Sequence, residues 1–165
     1  MARFYTPPDG GAIPGPTGPE GPQGPVGDLD TGTTTINTYT PVWSGTGLTF
    51  TGTPAAGYYI KMGNLVTVQI DVDCTNVTNF GTGQYSLTIP VASRYHTDVY
   101  GGSVHDVVNQ GVDHFSIKGH LTDSSTSMTI WSIGSSAKDE PFDHNSPFNL
   151  TTADKFHMLF TYICE

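Results

Sequence analysis

Cysteine is scarce in this chain: two in 165 residues, Cys74 and Cys164. That is too few for a disulfide framework, and the two stand too far apart for a Cys-x-x-Cys metal or redox pair. Each falls in a strand-like run, so both are expected as small buried hydrophobes, and nothing in the spacing calls for a disulfide. Positive charge is scarce as well. Six Lys and Arg against fifteen Asp and Glu leave a formal charge of −9, which argues against nucleic acid and anionic membrane surfaces as partners. No run approaches the ~20 apolar residues of a membrane-spanning helix, and residues 1–11 have no apolar signal-peptide core. The expectation is therefore no membrane insertion, synthesis in the cytosol and release by lysis rather than export. A helical period is missing too: no window of about eleven residues keeps apolar side chains 3.6 apart.

What the chain does have is glycine at 15, 18, 21, 24 and 27, followed by proline in four of the five triplets that run from Gly15 to Leu29. This is the collagen repeat. Three polyproline II strands wind together only where every third residue lacks a side chain, so Gly15, Gly18, Gly21, Gly24 and Gly27 predict a triple helix and three chains. A disordered Pro/Gly linker would have no reason to keep that spacing. Five triplets make a rod of roughly 45 Å at ~3 Å per residue, too short to hold three chains unaided. Trimerisation is therefore expected of the region C-terminal to the repeat.

The chain divides into an N-terminal arm (1–14), the Gly-X-Y stem (15–29), a polar neck (30–38) and a head (39–165) long enough to bury a core. Phe4 and Tyr5 make the arm a candidate for insertion into another protein. In the head, residues 58–62 and 65–74 flank the turn pair Gly63 and Asn64 and read as a tight hairpin. Val66, Val68, Ile70, Val72 and Cys74 form its core face, alternating with a mostly polar one. Residues 84–89 and 114–121 repeat the alternation, and residues 97–108 are strand-like with a bulge or turn expected at Gly101 and Gly102. Residues 128–133 and 156–163 are apolar on both sides, which fits either a central strand of a sandwich, one face in the core and one covered, or a strand at a subunit interface; given the triple helix, the interface is expected for at least one of them, with Trp131, Phe156, Met158 and Phe160 as the candidates. Residues 134–152 read as one long connection. About eight short strands and no helix predict an all-β fold, an antiparallel β-sandwich with a jelly-roll-like plan.

From Tyr39, Pro41, Trp43 and Gly45, through Gly57, Tyr58 and Tyr59, to Gly63, Asn64, Val66 and Val68, the sequence resembles the small β-sandwich modules of tailed-bacteriophage tail and fibre proteins. Minor tail proteins of phages infecting actinobacteria are the nearest in kind. The resemblance covers residues 39–72, and the stem ahead of a β-rich head is similar to phage fibres. It implies a homotrimeric structural protein on the virion exterior, assembled in the host cytoplasm and concerned with host contact. Its arm would meet other tail or capsid proteins. No catalytic residue comes with it.

The chemistry-bearing residues give little else. Asp139, Glu140, Asp143 and His144 form the densest acidic patch, a weak metal candidate without EF-hand or zinc spacing, expected as a solvated loop. His114 and His120 share a strand face but lie ~20 Å apart, too far for one chain to chelate with both. Ser135 and Lys138 match Ser-x-x-Lys without the helix or the further motifs that chemistry needs. No enzyme and no cofactor are expected. For contact with a cell-surface glycan the platform would be an exposed aromatic beside polar groups, and the segment with Tyr95, His96 and Tyr100 is the candidate because Arg94 and Asp98 interleave with it. Two rivals to the fibre reading stay open: a capsid or head decoration protein without receptor binding, and a secreted collagen-like adhesion or defence protein.

Overall fold

The computed structural model describes residues 35–107, 113–133 and 138–165. The arm with Phe4 and Tyr5, the five repeat glycines and most of the neck lie outside the described residues. The described part is all-β. Its strands are β1 (Asn37–Tyr39), β2 (Trp43–Thr46), β3 (Thr49–Phe50), β4 (Ala55–Met62), β5 (Leu65–Asp73) and β6 (Val77–Asn79). They continue with β7 (Thr82–Thr88), β8 (Thr97–Asp106), β9 (Asp113–Leu121), β10 (Ser127–Ile133), β11 (Asp139–Pro141) and β12 (Lys155–Ile163). The only helical element among the described residues is a 3₁₀ turn, Cys74–Asn76, capped by the Asp73 carboxylate.

Ten strands make one antiparallel sheet in the order β1-β4-β5-β12-β8-β9-β10-β7-β2, with β11 beside β10, while β3 and β6 pair separately. The meander β8-β9-β10 takes part in two overlapping Greek keys: β12 returns to lie beside β8, and β7 lies beside β10. The β4-β5 hairpin forms as its sequence requires. Gly63 sits at φ 59°, the left-handed first position that a II′ turn gives to glycine.

The sheet curls on itself. Its two edge strands, β1 and β2, are joined only by Thr40, Pro41 and Val42, a connection that spans at most about 14 Å. Tyr39 Oη donates to the Thr88 carbonyl at 3.5 Å, and the Val42 amide to Thr88 Oγ1 at 2.8 Å, drawing β1 and β7 together. Inside the curl, Trp43 of the edge strand β2 meets Phe156 of the central strand β12 edge-on, with ring centroids 5.4 Å apart. Tyr85 and Phe142 complete the cluster, at 5.1 Å from Trp43 and 5.4 Å from Phe156 respectively.

Alternation decides what enters this core. Val66, Val68, Ile70, Val72 and Cys74 are buried, as the hairpin pattern predicts, and Tyr85, Leu87 and Ile89 join them. Both cysteines are free and buried, and burial pushes the Cys74 thiol up to about 12. The bulge falls where the two glycines predict it, between Tyr100 and Gly102.

Two expectations need correction. Phe156, Met158 and Phe160 are not interface residues: with Tyr162 they line the inner side of β12 and are buried within one protomer. Their register against Val72, Ile70 and Val68 requires it, since those partners already face inward. Residues 134–152 are not a plain connection either. They contain β11, paired with β10, and Phe142, Phe148 and Leu150 turn back into the core.

Candidate functional site: the outer face of β8 to β11

On β8, Asp98 and Tyr100 are two residues apart and so share the outer face. Across from them on β9 stand His120 and Lys118. Next on β10 comes Trp131, half-buried opposite Lys118, and Asp139 lies on β11. The bulge sets the aim of Tyr100. Gly101 takes φ 117°, and a Cβ there would run into the Leu159 carbonyl, so only glycine lets β8 leave β12 here with Tyr100 turned outward.

These side chains form one network. The Lys118 ammonium is 2.6 Å from Asp139 Oδ2 and 2.8 Å from Asp98 Oδ2, and it lies 5.6 Å from the centroid of the Tyr100 ring. His120 Nδ1 is 2.7 Å from Asp98 Oδ1, and the His96 ring meets the His120 ring edge-on at 4.4 Å. The hydrogen bonds to Asp139 and Asp98 raise the Lys118 ammonium above its ordinary range, and Lys118 with His120 holds the Asp98 carboxyl below its own. Lys118 is buried despite its charge because two carboxylates neutralise it. At the network's margin Tyr95 and Tyr100 remain 53% and 61% exposed, with the Arg94 guanidinium 5.7 Å over the Tyr95 ring. His96 is exposed beside them. Two open phenol faces around fixed donors and acceptors suit a ligand that offers both C–H faces and hydroxyls.

Of the sequence candidates, His96 and Tyr100 join the network through His120 and Lys118, whereas Tyr95 lines a cleft with His96, Leu65, Thr161 and Ile163 at its edge. Trp131 borders the network, with Nε1 donating to Thr129 Oγ1 at 3.3 Å. The acidic patch does not converge. Asp139 turns to Lys118, Glu140 accepts from Ser146, Asp143 Oδ1 accepts the amides of Asn145 and Ser146, and His144 stacks on Phe80. No group of three ligating side chains that could hold a metal occurs among the described residues. Sequence reasoning missed Lys118, which alternation placed on a wet face. Its partner Asp98, two residues before Tyr100, was visible in the sequence; the strand pairing that brings the two together was not.

A second row crosses three strands on the outer side: Asp71, His157 and Ser103 occupy one register. Ser103 Oγ is 3.3 Å from His157 Nε2, but Asp71 accepts from Gln69 Nε2 at 2.9 Å and makes no hydrogen bond to the imidazole. The serine thus has a histidine without an orienting carboxylate, and no relay forms. Comparison with protein families, curated proteins and solved structures found no match to this chain.

Proposed function

We propose that three copies of this chain form a structural fibre on the exterior of a virion, tail-associated, with a β-sandwich head of jelly-roll type that meets the host cell surface. The observation that carries the reading is the run of five unbroken Gly-X-Y triplets leading into an all-β head. The N-terminal arm, through Phe4 and Tyr5, docks into neighbouring tail or capsid proteins, the stem aligns the chains, and the heads present three copies of the Tyr95, His96 and Tyr100 segment. Weak contacts to a repeated surface glycan then add by avidity, so no single site has to be strong.

Light scattering on the full chain tests the trimer, with three times 17.6 kDa expected; a monomer overturns it. Gly21→Val is expected to lower a stem melting transition while leaving the β signal of the head intact. Adsorption to host cells tests the contact. The pair Tyr95→Ala and Tyr100→Ala is expected to reduce it at least tenfold through three equivalent sites, and unchanged adsorption leaves a decoration protein without receptor binding.

A further inference from the structure

Three successive rows on the outer side of β4, β5 and β12 carry no charge; the next rows on that side hold Asp71 with His157, then Asp73 with Lys155. Register places Tyr58, Gln69 and Leu159 in one row, and Ile60, Thr67 and Thr161 in the next. Met62, Leu65 and Ile163 make the third. Met62 and Leu159 are 56% and 55% exposed, and Ile36, just ahead of β1, is 64% exposed and lines a shallow 130 Å³ cavity with Tyr58, Ile60 and Leu159. The polar members are engaged within the protomer: the Thr67 and Thr161 hydroxyls bond each other at 2.9 Å, and Gln69 donates to Asp71. Drying such a face would strand no threonine hydroxyl, and would leave the Tyr58 phenol to be met from the other side. Soluble monomers rarely leave a contiguous apolar face of this kind in water.

We propose that three copies of the head turn this face toward a common three-fold axis, an inference that rests on the trimeric reading above. Three observations name a second copy as the occupant. The Gly-X-Y repeat requires three chains. Ile36 belongs to the face and lies seven residues after Leu29, the end of the fifth triplet, at most about 25 Å of chain, so chains joined at the repeat hold copies of the face within reach of one another. The third is charge. On a chain of −9, these three rows themselves contain no carboxylate, with Asp71 at their border, whereas the β8 to β11 face would set Asp98 and Asp139 of one copy against those of the next.

The test is light scattering on the full chain carrying both Leu159→Glu and Ile163→Glu, beside the wild type and Val42→Glu. Val42 is 56% exposed and lies off the grid. The expected result is a trimer for the wild type and Val42→Glu, and a monomer with unchanged β circular dichroism for the double variant. A trimeric double variant overturns the face while leaving the trimer standing. Loss of the trimer in Val42→Glu also overturns it, because added charge alone would then suffice. A monomeric wild type overturns the trimer itself and this face with it. If the double variant fails to fold, Thr161→Cys reads the same face without charge. Its thiol is expected to be shielded from a maleimide in the trimer, and full reactivity in a trimeric protein overturns the proposal.

Discussion

Two regions of one sheet share the same inner side and differ on the outer one. Under both, alternate residues fill a single core. Above β4, β5 and β12 three rows carry no charge, and charge returns only at one end, with Asp71, Asp73 and Lys155, whereas above β8 to β11 a lysine is clamped between two aspartates, with a histidine on one of them. The acidity of the chain is therefore unevenly spent, and the uneven part is the informative one: the inner side specifies a fold, and the outer side specifies what each region can meet. The uncharged region suits a like surface. The charged region repels a like surface and suits a neutral polar ligand.

The largest effect is expected where the two regions are the same. Phe156→Ala empties space shared with Trp43 and Phe142 beneath both and is expected to cost about 3–5 kcal/mol in denaturant unfolding. Tyr100→Ala, on the outer side, should cost under about 1 kcal/mol, mostly the contact with Lys118. A severe loss from Tyr100→Ala would show that the outer aromatics hold the fold.

Next comes the network. Lys118→Met leaves Asp98 and Asp139 without their cation and is expected to cost about 1–3 kcal/mol at neutral pH. Gln69→Met, the matching change in the uncharged region, is expected to raise the unfolding midpoint and not lower it. Equal losses from the two would erase the distinction between the regions.

Acid acts on both regions, through a different carboxylate in each. Asp98 is held below the ordinary 3.8 by Lys118 and His120, and Asp73 is lowered to about 2 by Lys155 and Thr75. A depressed carboxyl contributes stability that is fully present above its unfolded value and is lost as pH falls toward its folded value. Stability is thus expected to hold from neutral pH down to about 5 and then fall between roughly 4 and 2. In Lys118→Met the fall should be shallower, because Asp98 has lost its main partner. An equally steep fall would assign the acid response to other carboxyls. The smallest effect is expected from Lys155→Met, which breaks only the exposed pair with Asp73 at 2.7 Å; differential scanning in low and high salt should barely distinguish it from the wild type.

The inner side was legible because strand period is two: Val66 to Cys74 on one face and Tyr85, Leu87 and Ile89 on another could be placed without coordinates. For β12 that rule was silent. With Phe156, Met158, Phe160 and Tyr162 on one side and Leu159 and Ile163 on the other, both sides read as apolar, and only pairing with β5 shows which is core. An interface could thus be suspected on this strand, but Phe156, Met158 and Phe160, the residues named for it, stand on the side that fills the core. Of the candidate site, Tyr95, His96, Asp98 and Tyr100 were legible as one interleaved segment. The contributions of Lys118 and Asp139 depend on which strands become neighbours, a long-range property that spacing along the chain does not carry.

The position of β12 has a consequence in time. It is the latest strand in the sequence, yet it lies between β5 and β8 and joins two blocks of sheet, β1-β4-β5 and β8-β9-β10-β7-β2. Translation runs from the N-terminus at ~5–20 residues per second, so the earlier strands emerge as two blocks tied only through the β1 to β2 connection and its bonds to Thr88, with no strand between β5 and β8 until Lys155–Ile163 is made. No growing chain can offer a finished head to another. A nonsense or frameshift change between β10 and β12 thus yields not a shortened head but two blocks of sheet without the strand that pairs with both.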